Sequence, residues 1–243
     1  MRRARHIGRR NRARRAFSLI ELLLALGILA IGLSMAAALF PAAIRLNEQS
    51  GQDSIGTIVA ENGLAVAQTM LHNSAINQTA GSLVCVVDES MASPPIDREL
   101  QHYLYDPSAP GAATRGFVVL GRRLDTADPS GPVQLVIVSY NKQSSANIVN
   151  ALSTTFSTTT SNGVTVAALG TIAPIGSPLI VAADGSWAKI IDRDSSDPSN
   201  PNKGTLDRAL SATGGGAFVI VDPSATAKSP ATAVVVADVL LNP

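Results

Sequence analysis

From Leu22 to Phe40 the chain runs for nineteen residues without a charge, broken only by the small residues Gly27, Gly32 and Ser34 among Leu, Ile, Ala and Met. At 1.5 Å per residue this is about 28 Å of helix, close to the roughly 30 Å hydrocarbon core of a bilayer, so the pattern predicts a membrane-spanning helix. Beyond it, "FPAAIRLNEQSGQDSIGTIVAENGLAVAQTMLH" mixes polar and apolar positions. Ile55, Ile58, Val59, Val66 and Met70 recur there at three- and four-residue offsets, which predicts an amphipathic continuation whose apolar stripe packs on the rest of the protein. Pro41 is expected to bend or interrupt that helix. Gly51, Gly56 and Gly63 each weaken helix propensity by up to about 1 kcal/mol relative to Ala, which predicts local melting or bending.

After residue 80 the period changes. Apolar runs at 82–87, 116–124, 133–140, 163–169, 178–183, 187–191, 217–222 and 232–241 are separated by clusters of Gly, Pro, Asp, Asn and Ser, and such runs read as strands with turn punctuation. "STTFSTTTSNG" (153–163) fits either a surface loop or an edge strand of β-branched residues. The Pro-rich stretch 91–116 reads as a long loop with a short helix around Arg98 to Tyr103, and "TGGGAF" (213–218) as a flexible turn before a strand. The expected fold is α+β: a long N-terminal helix, half membrane-spanning and half amphipathic, packed against an antiparallel β-rich head. The boundaries are a basic leader (1–16), a membrane or core helix (17–40), its amphipathic continuation (41–80) and the head (81–243).

Charge adds direction to this picture. Residues 1–16 hold eight Arg and no acid, which leaves 11 of the 19 basic residues against 18 acids, a net charge of about −7, over residues 17–243. A block of like charge can be a nucleic-acid arm. Lying directly before an apolar run, it reads instead as a topogenic signal that keeps the N-terminus in the cytoplasm and exports the rest. A conventional or twin-arginine export signal also begins this way, with "RRAFSL" and "MAAAL" as its marks, and would yield an exported soluble binding protein.

One acid, Glu21, interrupts the apolar pattern at its start. A charge at membrane depth costs about 2.5 to 3.5 kcal/mol on insertion scales, which makes it a functional-site candidate. The stretch "AFSLIELLLALGILAI" resembles the prepilin signal of the type IV pilin family, which includes the pseudopilins of type II secretion systems. The shared marks are a basic leader, a small residue before the cut, Phe at the mature start, a hydroxyl residue next and Glu at the fifth mature position. The resemblance implies that prepilin peptidase cuts between Ala16 and Phe17 and that the new Phe17 amine is N-methylated. It further implies that Glu21 meets the Phe17 amine of a neighbouring subunit during assembly. Ala16 departs from the more usual Gly, and Ser18 from the more frequent Thr. The implied partners are prepilin peptidase, other pilin or pseudopilin subunits and an inner-membrane assembly platform, with no nucleic acid. The implied location is a single-pass inner-membrane protein with a periplasmic head, then a periplasmic filament or pilus. A head larger than a minimal major pilin needs points to a minor subunit, and the presence of Glu21 points away from tip subunits that lack the acid.

Catalytic signatures are scarce. The chain has no G-x-S-x-G, P-loop, H-E-x-x-H or C-x-x-C, and its histidines are His6, His72 and His102. The sole cysteine, Cys85 in "LVCVV", reads as a small buried hydrophobe and excludes an intrachain disulfide. No enzyme is expected; the alternative of a signal-anchored periplasmic enzyme finds no catalytic set here. "DRDSSDPSNPNKGTLD" (192–207) offers oxygen ligands at Asp192, Asp194 and Asp197, the chemistry calcium uses, although a solvated turn accounts for the same residues.

Overall fold

The computed structural model describes residues 18–72, 76, 81–103, 114–125, 128, 130–142, 147–167, 174–193, 202–222 and 229–241. Its first element is helix α1 (Leu19–Met70), which runs through Pro41 without interruption. The chain divides into two compact units, residues 1–50 and 51–243.

In the first unit every described residue, Ser18 to Ser50, is exposed, including Leu23, Leu26, Ile31 and Phe40. Among its described residues the second unit contains the remainder of α1, the short helix α2 (Arg98–Gln101) and ten strands: β1 (Val84–Val87), β2 (Arg115–Arg123), β3 (Val133–Asn141), β4 (Asn150–Thr158), β5 (Gly163–Val166), β6 (Pro178–Val181), β7 (Trp187–Arg193), β8 (Lys203–Leu206), β9 (Gly214–Val221) and β10 (Ala231–Val239). These form a four-stranded sheet in the order β1-β2-β3-β10 and a closed barrel in the order β4-β5-β8-β7-β6-β9, with every pairing antiparallel.

The sheet is a middle layer, and its sequence shows it. Alternate residues point to opposite faces of a strand. In β2 and β3, Phe117, Val119, Leu135 and Ile137 pack with Ala60 and Ala67 of α1, while Val118, Leu120, Val136 and Val138 pack with Ile180 and Ile220 of the barrel wall. Burial on both faces explains why the central residues of these two strands, 117–120 and 135–138, are all apolar. The barrel has its own interior, filled by Phe156, Val164, Leu179, Ile190, Leu206 and Val219 among others. Its closure removes the open edges that a flat sheet would leave.

The contact of α1 with the sheet uses small residues. Gly56, Val59, Ala60, Gly63 and Ala67 are its buried positions, and a Cβ on Gly63 would lie 2.7 Å from Cγ of Phe117 and 3.0 Å from Cγ2 of Ile137. Two of the three glycines expected to soften this helix, Gly56 and Gly63, are thus where the sheet approaches most closely, whereas a Cβ on Gly51 would meet nothing within 4 Å. Of the apolar stripe read from sequence, Val59 is buried and Ile55 and Val66 flank the contact, but Ile58 and Met70 are exposed. Large side chains at the contact would hold helix and sheet apart.

The head differs from a single generic sheet by its barrel, and two barrel strands fall where sequence left a loop or an edge strand open (153–163) or suggested a turn (192–207). β4 occupies most of 153–163, with Phe156 inside, and β8 occupies Lys203–Leu206, with Gly204 and Leu206 buried. "TGGGAF" is already strand: β9 begins at Gly214 and pairs with β4 from Ser157 onward. The β6–β7 turn requires Gly185, whose φ of 74° is left-handed.

Candidate functional site

At the described start of α1, Ser18 and Glu21 satisfy each other's backbone. The Glu21 N–H donates to Oγ of Ser18 at 3.2 Å, and the Ser18 N–H donates to Oε2 of Glu21 at 3.0 Å. This reciprocal pair is a capping box, in which an S-x-x-E sequence supplies acceptors for two of the N–H groups that a helix start leaves unpaired. The Leu22 N–H donates to the Ser18 carbonyl at 3.2 Å, so the regular ladder begins from the same residue. An acid in the first turn also complements the positive end of the helix dipole. Glu21 therefore has a reason for its position within the chain itself: in hydrocarbon, unpaired N–H groups at the helix start would cost several kcal/mol each. The S-x-x-E spacing is a local signal carried by the sequence itself. Ala16 and Phe17 lie outside the described residues.

Behind the cap, α1 is long and apolar enough to cross a membrane. None of the side chains from Leu19 to Leu46 is buried. A continuous apolar surface of this kind is compatible with membrane anchoring.

The head holds a second polar constellation, absent from the sequence reading. Glu89, just beyond β1, is 6% exposed. Its Oε1 accepts hydrogen bonds from the Tyr140 hydroxyl at 2.7 Å and Lys142 Nζ at 2.8 Å and lies 2.6 Å from His102 Nε2. Oε2 accepts the Val149 N–H at 2.7 Å. Burial by itself would raise the Glu89 carboxyl, but the bonds from His102, Lys142, Val149 and Tyr140 outweigh it and bring it down to about 2 from an ordinary 4.5. Burial and the neighbouring Glu89 charge push the Tyr140 hydroxyl up, so it remains a donor. Asp88 continues the network, accepting from the Ser90 N–H at 2.9 Å, the Ser90 hydroxyl at 2.6 Å and the Ala151 N–H at 3.3 Å. Together the two carboxylates tie the end of β1 to α2, the end of β3 and the start of β4. This is a pin between sheet and barrel. Its members are up to 63 residues apart, so no local spacing announces it.

The other candidates sort as follows. Cys85 Sγ donates to Oδ2 of Asp88 at 3.4 Å, and burial, then the Asp88 charge, pushes its thiol far above the ordinary value, which suits packing and not nucleophilic attack. His72 is exposed, and His6 lies outside the described residues. Asp192 is exposed on β7 and accepts the N–H of Arg193 at 2.8 Å. Asp194 and Asp197 lie outside the described residues. Among the described residues no group of three or more His, Cys, Asp or Glu could hold a metal ion.

Residues 11–37 match the family model of the prokaryotic N-terminal methylation motif. The chain therefore carries a signal of the type IV pilin and pseudopilin type, the mark of a pilin-like exported protein. Among curated proteins, an uncharacterized PPE family protein, PPE63, from two strains of Mycobacterium tuberculosis is 43% identical over 68 residues. That match takes in 28% of this chain and spans 14% of the length of the relative. No solved structure matches.

Proposed function

We propose that this chain is a minor pseudopilin or minor type IV pilin, a membrane-inserted structural subunit that assembles into a periplasmic pseudopilus or pilus serving secretion or surface attachment. The observation that carries the reading is a capped helix that begins inside the methylation motif and whose apolar first stretch, through Ser50, is wholly exposed. Prepilin peptidase cuts between Ala16 and Phe17 on the cytoplasmic side, the Phe17 amine is N-methylated, and the helix is retained. Eight Arg ahead of the helix hold that end in the cytoplasm and place the head in the periplasm.

Glu21 then serves two partners in turn. In the membrane its Oε2 completes the cap with Ser18. A carboxylate offers about four acceptor sites, so the cap leaves capacity for the positively charged Phe17 amine of a neighbouring subunit. A charge pair in low dielectric offsets the penalty that either ion alone would incur. Only the stagger that brings amine and carboxylate together removes that penalty, and this sets the register between subunits. The role is structural, and the head supplies contacts to neighbours, to the assembly platform or to cargo.

The test is the N-terminal residue and mass of the protein recovered from membranes with and without prepilin peptidase, followed by incorporation of Glu21→Ala into filaments. N-methylated Phe17 that depends on the peptidase, with loss of incorporation on Glu21→Ala, is the expected result. A mature chain beginning beyond about Ala38, or unchanged incorporation of the variant, overturns it.

A further inference from the structure

We infer that the sheet and the barrel are joined by a hinge that acid opens at one end: they part where Glu89 joins them and stay together where Arg122 does. The placement follows from the register of β2 and β3, in which Gly116 faces Tyr140 and Arg122 faces Gln134. Tyr140, at the Glu89 end, and Gln134, at the Arg122 end, are six residues apart on β3, roughly 20 Å along a strand.

The two ends are joined by different chemistry. At the first, carboxylates hold the barrel: Oε2 of Glu89 accepts the Val149 N–H at 2.7 Å and Oδ2 of Asp88 accepts the Ala151 N–H at 3.3 Å, both at the start of β4. At the second, the Arg122 guanidinium donates to the carbonyls of Ala183 and, at 3.1 Å, Asp184 in the β6–β7 turn. On the sheet side it donates to the Gly81 carbonyl at 3.4 Å and Oε1 of Gln134 at 2.8 Å. Between the ends lies apolar contact of Val118, Leu120, Val136 and Val138 with Ile180 and Ile220, which is non-directional and sets no hinge angle of its own.

Acid reaches these ends unequally. Facing the Glu89 side chain are Lys142 and Tyr140 from β3 and its end, His102 beyond α2 and Asp88 beside it, while Arg98 of α2 donates to the Glu89 carbonyl at 3.5 Å. Protonating Glu89 removes the negative charge that buried Lys142 Nζ binds at 2.8 Å, and a buried cation that loses its counter-charge is costly, so opening to water is favoured. With the carboxyl at about 2 in the closed head against an ordinary 4.5, this joint is fully present above about pH 4.5 and is lost as pH falls toward 2. The Arg122 acceptors are backbone carbonyls and an amide, which do not titrate. Asp184 is the acid at that end; burial raises its carboxyl, but bonds from Ser211 and Ser186 and the Arg122 charge outweigh this and bring it below the ordinary range. The Arg122 bond goes to the Asp184 carbonyl, so protonating that side chain leaves the bond in place.

A backbone hydrogen bond crosses from sheet to barrel at each end without using a titrating atom: the Glu89 N–H donates to the Val149 carbonyl at 3.2 Å, and the Leu83 N–H to the Ala182 carbonyl at 2.7 Å. Hydrogen exchange of these two amides in the full chain in detergent, resolved to single residues by mass spectrometry and corrected for the intrinsic effect of pH, reads the ends separately. From pH 7 to pH 3 the amide of residue 89 is expected to lose about 30-fold in protection, the factor that carboxyl values of 4.5 and 2 give at pH 3, while that of Leu83 keeps its protection. Glu89→Gln should show the lowered protection at residue 89 at both pH values, and Arg122→Gln should lower protection at Leu83 at both while residue 89 still responds to acid. Loss at both amides together in the unmodified chain, loss at neither, or an acid response at residue 89 that survives Glu89→Gln overturns the proposal. The hinge goes beyond the pilin-like reading and does not require it; failure of that reading would register separately, as an unprocessed N-terminus in the same samples.

Discussion

Residues 19–50 and 51–70 belong to one helix, yet they meet their surroundings in opposite ways. The first stretch is rich in Leu and Ile and buries none of them; the second buries a narrow face of Gly, Ala and Val against a sheet. Glycine makes the contrast plain. A Cβ on Gly27 or Gly32 would meet nothing within 4 Å, whereas one on Gly56 or Gly63 would collide with Thr232 or Phe117. Apolar content therefore does not tell which part of a helix packs on its own chain. The stretch with the larger side chains stays exposed, and the one with the smaller side chains is fitted to its own head.

That contrast breaks most severely where the head is pinned. Glu89→Ala would remove the buried carboxylate that accepts from Lys142, Tyr140 and the Val149 N–H, and loss of one partner of a buried ion pair typically costs about 3 to 5 kcal/mol. A denaturation midpoint measured on the full chain in detergent should fall accordingly, with α1 helicity upstream of Gly51 unaffected. The same pin predicts an acid limit. Because Glu89 sits near 2 in the folded state against an ordinary 4.5, the stability it contributes is fully present above about pH 4.5 and is lost as pH falls toward 2. That window corresponds to about 3 kcal/mol, readable as a drop in denaturant midpoint between those values that Glu89→Gln should not show.

A methyl group sharpens the comparison. Gly63→Ala forces the new Cβ against the Phe117 ring and Ile137 and should cost about 1 to 3 kcal/mol of head stability, measured by denaturant unfolding. Gly27→Ala meets open space and should leave the head unchanged while raising helix stability by up to about 1 kcal/mol. The smallest effect belongs to the cap: Ser18→Ala should cost about 1 kcal/mol locally, seen as faster hydrogen exchange in the first turn of α1 with the head unaltered.

What could be read from sequence follows the same division. The apolar helix, Glu21 and the motif around it are local signals, carried by residues within a few positions of one another. Strands buried on both faces, β2 and β3, announced themselves as continuous apolar runs. β4 was left open between loop and edge strand, because Phe156 is the one large apolar residue of 153–158, and β8 did not announce itself because it has four residues in all. The small-residue face of α1 escaped because a periodicity of large side chains is a poor guide where backbone approach decides the contact. The Glu89 pin escaped because it joins residues 13 to 60 positions apart, which come together only in the folded chain.

The most direct test compares two positions that are equally exposed in the chain, Leu26 at 53% and Ile58 at 51%. Each is replaced singly by Cys in a Cys85→Ser background and treated, in intact membranes, with a thiol reagent that does not cross lipid. Ile58→Cys should label from the periplasmic side, and Leu26→Cys should remain protected until the membrane is dissolved in denaturant. Equal labelling of the two in intact membranes would contradict the assignment of the first stretch to a lipid or filament environment.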